Sequence, residues 1–221
     1  MPTLLARLLS WIGHPLLVLT GSLALLLATN PYAFGVQSIT DQRARVLLLT
    51  VFVTSFVLPG IGVLTMKQLG LITNLEMSDK QERTGPYILT GVFYLWVFKS
   101  LLSDIQVPNL FSVCALGTTI GLFLAFFVNI FTKISAHALG MGGLVTMTLL
   151  MCFQWNGSAL SLHFADHSLL LSMDAVLAAT VLLAGAVGAA RLVLKAHESA
   201  DLYRGYAAGA VSVLLANILI G

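Results

Sequence analysis

The chain has 221 residues, of which 58% are hydrophobic and only 9% are charged. Its mean hydropathy is +0.95, and because a soluble domain carries roughly 25% charged residues, the composition excludes an ordinary soluble protein. The formal net charge of +2 at pH 7 is too small to indicate a nucleic-acid partner.

The charged residues fall in clusters that are separated by long apolar gaps. Because a membrane-spanning helix needs about 20 mostly apolar residues, each gap predicts a transmembrane helix. In chain order the predicted spans are 11–29, 46–65, 86–102, 110–131, 135–153, 169–193 and 202–220. We therefore expect an all-α polytopic bundle of six to seven spans, in a single integral-membrane domain over residues 1–221. The smaller count applies if the first segment lies in the membrane interface.

Several features of the spans indicate how the helices begin and pack. The first apolar run follows Arg7 and lacks a convincing cleavage site, so we interpret it as a retained anchor. His14–Pro15, at the start of this run, is typical of a helix start. Small residues one turn apart in GTTIG (117–121) and GYAAG (205–209) predict close helix packing. Both cysteines lie in predicted spans, so we expect no disulfide framework.

Counting the membrane crossings places three polar clusters on one side of the membrane. These clusters are SDKQER (78–83), KISAH (133–137) and RLVLKAHESAD (191–201). His14 would face the same compartment. Thirteen of the twenty charged residues share this side, and the opposite side carries Asp41, Arg43, Arg45, Lys99, Asp104, Asp166 and Asp174. The crossing count therefore predicts that the scarce ionisable groups converge on one face.

The third cluster contains a histidine and a carboxylate at helical spacing. His197 and Asp201 are four residues apart, so on a helix they lie on one face within reach. A carboxylate there can keep one imidazole nitrogen protonated and leave the other free as a nucleophile or base. Arg191 is six residues before His197, which is about 240° around a continuous helix. For both to reach one ligand, the helix must end near Lys195 and a turn must follow.

The same face offers several cations, a hydroxyl group and a second histidine. They are Lys80, Arg83, Lys133 and Arg191, the hydroxyl of Ser135, and His137. Several cations around a nucleophilic imidazole suit an anion with dispersed charge, above all a phosphoryl group.

The spacing of Arg191, His197 and Asp201 resembles the third signature of the type-2 phosphatidic acid phosphatase superfamily, which also includes vanadium haloperoxidases. The stretch HESAD (197–201) lacks the proline that is common after the family's histidine. The resemblance runs from about residue 76 to the C-terminus.

Two further signatures of that family have shortened or altered counterparts. The second signature is Pro-Ser-Gly-His, and the chain has Ile-Ser-Ala-His at 134–137, which keeps the serine and the histidine. The first signature is a lysine, six residues and then Arg-Pro. The chain has Lys80 and Arg83, with Pro86 three residues beyond the arginine.

The resemblance implies a role for each matched residue. His197 would attack phosphorus and form a phosphohistidine, Asp201 would orient it, and His137 would protonate the leaving alkoxide. The phosphoryl oxygens would be held by Arg191, Ser135, Lys80 and Arg83. The family needs no metal or other cofactor. Lys133 is adjacent to the second signature but outside its pattern, so the resemblance gives it no role.

These residues predict a membrane-embedded, metal-independent phosphatase that acts on a lipid phosphate or diphosphate arriving from the bilayer. Two alternatives stay open. One is a catalytically inactive, lipid-binding relative of the family. The other is a small-molecule or ion transporter that uses the intramembrane polar residues Asn129, Gln154 and Asn217.

Individual residues also have simpler interpretations. The basic residues that flank the last two spans can be ordinary topology determinants. Ser135 can be a helix N-cap, and Lys80 and Arg83 can belong to a solvated loop.

A second histidine cluster, HFADH, lies on the opposite side of the membrane. It places His163 and His167 four residues apart with Asp166 between them, a spacing that can share a metal on a helix. Nearby glycine and serine residues indicate a loop instead, and no third ligand is evident.

The orientation in the membrane follows from two opposing arguments. The site's side holds eight Lys or Arg residues against three opposite, which the positive-inside rule would place in the cytoplasm. Four of those eight are candidate ligands, however, and bacterial members of the family usually place the site outside the cytoplasm. We therefore expect a multi-pass protein of the cell (inner) membrane with its site on the non-cytoplasmic face.

Overall fold

The computed structural model describes residues 2–75, 77, 79–155, 158–164 and 167–221, with the backbone alone at 2, 162–164 and 167–168. In this part of the chain the α-helices are α1 (Pro2–Ile12), α2 (Val18–Thr29), α3 (Gln42–Phe52), α4 (Leu58–Gln68), α5 (Thr84–Leu102), α6 (Asn109–Phe131), α7 (Ala136–Gln154), α8 (Met173–Val193) and α9 (Ser199–Ile220). Strands β1 (Ala159–Phe164) and β2 (His167–Ser172) form a hairpin between α7 and α8. Short 3₁₀ turns cover Pro15–Leu17, Pro31–Phe34 and Gln81–Arg83, and the π-helix Val53–Val57 joins α3 to α4.

Seven stretches of the described chain are long and apolar enough to cross a membrane. They are Thr3–Thr29, Gln42–Gln68, Gln81–Leu102, Asn109–Phe131, Ala136–Gln154, Met173–Val193 and Ser199–Ile220. Each predicted span overlaps one of these stretches, so the predicted all-α polytopic bundle is confirmed with seven spans.

The first span is longer than predicted and is broken in the middle. It begins at Thr3, and Gly13, His14 and Pro15 separate α1 from α2. Proline has no N–H to donate and disfavours a helical residue before it, and His14 is accordingly extended, with φ −62° and ψ 128°. A Cβ on Gly13 would clash with the side chain of Val187 in α8. The break therefore lets α1 pack against α8.

A β-hairpin stands where the sequence predicted a loop and the start of the sixth span. β1 and β2 pair antiparallel with Leu160 opposite Leu171, and both leucines pack against the core. This arrangement is typical of a hairpin with one buried face. α8 begins only at Met173 because the Ser172 hydroxyl caps it, accepting a hydrogen bond from the N–H of Ala175 at 3.3 Å.

Glycine residues allow α9 to pack closely against α6 and α7. A Cβ on Gly117 would lie 2.8 Å from the Cα of Val213, and a Cβ on Gly205 would lie 2.6 Å from the carbonyl oxygen of Ser135. The close packing predicted from the GTTIG and GYAAG patterns is confirmed. It holds the first turn of α9 against the first turn of α7, where two of the predicted polar clusters lie.

Large apolar side chains fill the interior and also cover the outside of the bundle. The fully buried ones include Leu19, Leu23, Phe111, Met147 and Met151. Those at least half exposed include Trp96, Phe131, Phe153, Leu182 and Ile218. An apolar outer surface of this extent suits contact with lipid. The chain is a multi-pass membrane protein.

Among the described residues, charged side chains lie at both ends of the bundle, as the crossing count predicts. At one end, Arg43 and Asp104 form an exposed ion pair at 3.0 Å. At the other end, the Nζ of Lys133 donates a hydrogen bond to the carbonyl of Ala196 at 3.1 Å. The three polar clusters meet at this second end.

Candidate active site

A tight turn between α8 and α9 brings Arg191 and His197 to the same place. α8 ends at Val193, and Lys195 adopts a left-handed conformation with φ +52°. The N–H of Ala196 donates to the carbonyl of Arg191 at 3.1 Å, which closes the end of the helix. The predicted helix end near Lys195 and the predicted turn after it are both confirmed.

His197 is paired with Asp201 at the start of α9. Its Nδ1 lies 3.2 Å from Oδ2 of Asp201, and the two side chains are 3% and 8% exposed. The same carboxylate oxygen accepts a hydrogen bond from the N–H of Glu198 at 3.3 Å, and Oδ1 accepts one from Nη1 of Arg204 at 3.3 Å. Asp201 is therefore fixed by three neighbours and can fix the orientation of the imidazole.

The expected contact between His197 and Asp201 is present, but it does not arise on a continuous helix. α9 begins at Ser199, so His197 lies just before the helix and Asp201 lies in its first turn. The carboxylate caps the N-terminus of α9 and reaches back to the imidazole at the same time. Because Nδ1 faces Asp201, Nε2 is the ring nitrogen left for a ligand.

The imidazole of His197 is held in its neutral form. Its pKa is lowered from 6.5 to about 4, chiefly because the ring is buried. The hydrogen bond with Asp201 raises the pKa, and the nearby charges of Arg83, Arg191 and Lys133 lower it. A neutral imidazole with a free ring nitrogen is the form that acts as a nucleophile. The three cations lie within electrostatic range of His197.

Ser135 connects the second cluster to the third. Its hydroxyl caps α7 by accepting a hydrogen bond from the N–H of Ala138 at 3.3 Å, and its own N–H donates to the carbonyl of Asp201 at 3.2 Å. The side chain is fully buried. The N-cap interpretation of Ser135 is confirmed, and the capping hydroxyl still has a proton to donate.

His137 is the second residue of α7 and faces the N-terminal segment of the chain. Its ring donates a hydrogen bond to the backbone of Ser10 and lies within electrostatic range of Arg191 and His197. The ring of His14 packs edge-to-face against it, with centroids 5.8 Å apart and planes at 75°. The two histidines predicted for the site, His137 and His197, therefore lie within electrostatic range of each other.

Arg83 belongs to this cluster. It is buried, its Nε donates to the carbonyl of Met77 at 2.8 Å, and its Nη1 donates to the carbonyl of Ile134 at 3.1 Å. Its position beside Ile134 ties the first cluster to the second. The solvated-loop interpretation does not hold for this arginine.

The side chain of Lys80 is directed to the C-terminal end of α6. Its Nζ donates to the carbonyls of Ile130 and Phe131 at 3.0 and 3.4 Å, at the C-terminal end of α6. A lysine at this position satisfies the last carbonyls of a helix and complements its dipole. Lys80 thus caps α6, and in the described part of the chain its ammonium group forms no hydrogen bond with His137 or His197.

An open cavity of about 660 Å³ lies directly outside His197. Its lining includes Thr132, Lys133, Lys195, Ala196, His197, Glu198, Asp201 and Arg204. Lys133, Lys195 and Arg204 are positively charged, and Glu198 and Asp201 are negatively charged. The lining therefore has a small positive excess, and the cavity has room for an anionic head group. Lys133, to which the family resemblance gives no role, lies both in this lining and near His197.

The sequence did not predict that α1 contributes to the site. Nη1 of Arg191 lies 3.4 Å from the hydroxyl of Ser10 and donates a hydrogen bond to it. The crossing count placed His14 on the correct side, but the helix-start interpretation accounted only for its capping. Its Nδ1 does accept a hydrogen bond from the N–H of Leu16 at 3.3 Å, so that interpretation is confirmed as well.

The HFADH cluster lies largely outside the described residues. Asp166 is not described, and neither are the side chains of His163 and His167. The backbone of the two histidines belongs to strands β1 and β2. The helical spacing on which a shared metal depends is therefore not the geometry of this segment.

Comparisons of the chain with protein-family models, curated proteins and solved structures found no match.

The unusual environment of His197 leads to a first prediction. Its ring should titrate near pH 4, below the ordinary value of 6.5. Between these two values the unfolded chain binds the proton and the folded chain does not. The stability that this group contributes is therefore present above about pH 6.5 and declines as the pH falls toward 4. An NMR titration of ¹³C- and ¹⁵N-labelled histidine, assigned with His197→Ala, measures the midpoint.

Lysine variants test the cause of this shift. Lys133→Met removes a cation that lowers the pKa of His197, so the midpoint should move upward. Lys195→Met removes a cation from the same cavity lining and should leave the midpoint where it is. A midpoint near 6.5 in the unmodified protein would contradict the burial and charge described here.

Proposed function

We propose that the protein is a membrane-embedded, metal-independent phosphatase that hydrolyses a lipid phosphate or diphosphate through a phosphohistidine intermediate. The observation that carries this proposal is the environment of His197. Its neutral imidazole is oriented by Asp201 through Nδ1 at 3.2 Å, and Arg83, Arg191 and Lys133 lie within electrostatic range. A buried neutral nucleophile among cations suits attack on a phosphoryl group.

The proposed reaction has two steps that use the two histidines differently. Nε2 of His197 attacks phosphorus and forms an N–P bond while the bond from phosphorus to the leaving oxygen breaks. His137 enters this step as an imidazolium, gives the proton of its second ring nitrogen to that oxygen and becomes neutral. A water molecule then attacks the phosphohistidine and passes a proton to His137, which releases phosphate and restores the neutral His197 and the His137 imidazolium.

The cations replace the charge that a metal ion would supply. Arg83 and Arg191 are the candidates for holding the phosphoryl oxygens as their negative charge redistributes in the transition state. Lys133 supplements them from the cavity side. Ser135 can donate its hydroxyl proton to the same oxygens. We assign Lys80 a capping role instead, because its ammonium group donates to the end of α6.

A lipid substrate fits the position of the site in the bundle. The cavity outside His197 lies at the end where α8 ends and α9 begins, and the helices around it present apolar side chains outward. A substrate can approach laterally with its tail in the bilayer and its head group in the cavity. Phosphatidate, phosphatidylglycerol phosphate, polyprenyl diphosphate and lipid A all have suitable chemistry.

The arrangement of the intramembrane polar residues favours the phosphatase over a transporter. Nδ2 of Asn129 donates to the carbonyl of Lys80 at the site's end of the bundle, at 2.6 Å. Nε2 of Gln154 donates to Oδ1 of Asn217 near the opposite end, at 3.1 Å. Each residue therefore has a local structural partner, and the pairs lie at opposite ends instead of along one path.

One assay separates the phosphatase from its two alternatives and gives the second prediction. Purified protein in detergent is offered a panel of lipid phosphates and diphosphates in the presence of EDTA, and phosphate release is measured. Activity should survive EDTA because Arg83 and Arg191 supply the positive charge. Release from none of the substrates would favour an inactive relative or a transporter. Activity that EDTA abolishes and zinc or magnesium restores would contradict the metal-independent mechanism.

We also propose a location for the site. The protein would lie in the cell (inner) membrane with the His197 end on the non-cytoplasmic face. This placement rests on the family resemblance. It is compatible with the charge count because four of the eight basic residues on that side are candidate ligands.

A further inference from the structure

The N-terminal segment of the chain makes two separate contacts with residues of the site. The backbone of Ser10, in the last turn of α1, accepts a hydrogen bond from the ring of His137. The hydroxyl of the same residue accepts one from Nη1 of Arg191 at 3.4 Å. Ser10 is itself buried, with 8% of its surface exposed. It therefore links the N-terminal segment to both α7 and α8.

His14 adds a third contact from the break between α1 and α2. Its ring lies edge-to-face on that of His137, with a centroid separation of 5.8 Å. Its Nδ1 accepts the N–H of Leu16, so in the neutral ring the proton resides on Nε2. The ring is thus held by its own cap and by Trp11, whose ring is stacked 6.2 Å away. His14 cannot turn without losing the cap.

We propose that Ser10 and His14 are positioning residues for His137: the carbonyl of Ser10 and the ring of His14 fix its imidazole so that the second ring nitrogen faces the leaving group. This inference rests on the proposed function, in which His137 is the general acid. Ser10 would do for His137 what Asp201 does for His197. Each histidine would then be held by an acceptor on one ring nitrogen while the other nitrogen acts.

The packing of the N-terminal segment explains how it can hold a ring in place. α1 lies against α8, and Gly13 brings the chain too close to Val187 for a side chain. The extended backbone at His14 then turns the chain into α2. The break in the first span is therefore the feature that places His14 over His137.

The variant His14→Asn tests this inference, because it removes the imidazole and preserves the capping function of residue 14. The amide oxygen of asparagine can accept the N–H of Leu16 as Nδ1 does, because asparagine is a favoured N-cap, whereas the imidazole is lost. Turnover of a lipid phosphomonoester should fall about tenfold to 10²-fold, as displacement of a catalytic group does. Turnover of an activated aryl phosphate should stay nearly unchanged, since its leaving group needs no proton.

Two further variants separate positioning from general damage to the fold. His14→Asn added to His137→Ala should cause no additional loss, because the residue acts through His137. Ser10→Ala removes the hydroxyl beside Arg191 and keeps the carbonyl, so it should weaken turnover of both substrates by the same factor. Equal activity of His14→Asn and the unmodified protein on the lipid substrate would overturn the inference while the phosphatase proposal stands.

A spectroscopic measurement decides the positioning role even if no lipid phosphate is hydrolysed. In protein labelled with ¹⁵N-histidine, the neutral ring of His137 should show separate shifts for its two nitrogens, with the proton fixed on the nitrogen that faces Ser10. The second nitrogen carries a proton only in the imidazolium, the form that donates to the leaving group. In His14→Asn the two shifts should move toward an average, with thermal stability retained. Unchanged shifts in the variant would overturn the inference. Absence of phosphate release from the unmodified protein would overturn only the proposed function.

Discussion

Replacing His197 with alanine should abolish phosphate release and reduce it to the uncatalysed background. The proposed nucleophile is lost, and no other described ring nitrogen shares its position beside Asp201. The fold should persist, because Asp201 keeps its contacts with Glu198 and Arg204. Phosphate release from a lipid phosphate and from an aryl phosphate, measured with thermal stability in the same detergent, tests this expectation.

The control for this variant is a histidine on the other side of the membrane. His163→Ala changes the HFADH cluster, and the backbone of His163 lies in strand β1 at the opposite end of the bundle. It should keep its activity. Substantial activity in His197→Ala, or its loss in His163→Ala, would contradict the assignment of the nucleophile.

The second large effect should separate His137 from His197 by the chemistry of the leaving group. The alkoxide that leaves a lipid phosphomonoester is strongly basic and needs a proton, whereas nitrophenolate leaves almost unaided. His137→Ala should therefore lose about 10²–10⁴-fold on the lipid monoester, the usual contribution of a general acid, and much less on the aryl phosphate. His197→Ala should lose both activities alike.

The kinetics of the two variants on the two substrates provide the measurement. They are compared in one detergent, so that access to the membrane-embedded site is the same throughout. Equal losses for His137→Ala on both substrates would mean that His137 binds or packs and does not donate a proton. Unequal losses for His197→Ala would mean that it does not attack phosphorus in both reactions.

The arrangement of the helices could largely be predicted because lipid imposes simple constraints. Every backbone group in the bilayer must be hydrogen-bonded, so long apolar segments become helices, and short polar connections then fix which ends meet. The glycine pairs predicted close helix packing, and the structure shows that this packing joins α9 to α6 and α7. The sequence did not predict the hairpin before Met173, because the apolar run Leu169, Leu170 and Leu171 is typical of the start of a membrane span. These leucines belong to β2.

The proximity of the three polar clusters also followed from counting the crossings. Knowing which side of the membrane a residue faces does not determine where its side chain points. Lys80 and Arg83 therefore have different partners although they lie on the same side. Both lie at the site's end, but the carbonyls at the end of α6 bind the ammonium of Lys80, while Arg83 is buried against Ile134. No pattern within SDKQER distinguishes these two outcomes.

The contribution of α1 could not be predicted from local sequence. The residues Ser10 and His14 match no signature, and their contacts with His137 and Arg191 depend on how α1 packs against α8. That packing follows from the break at Pro15 and from the absence of a side chain at Gly13, which lets α8 approach closely. Both are tertiary features. The His14–Pro15 pair is a weak indication of them in the sequence.

Trapping the phosphorylated enzyme tests the proposed mechanism most directly. Protein quenched with base during turnover of a ³²P-labelled lipid phosphate should carry a phosphoryl group that is stable to base and labile to acid, as phosphohistidine is. Peptide mapping by mass spectrometry should place the group on His197, and the His197→Ala variant should carry none. Phosphate on another residue, or steady turnover without any trapped phosphoryl group under conditions that preserve phosphohistidine, would contradict the account.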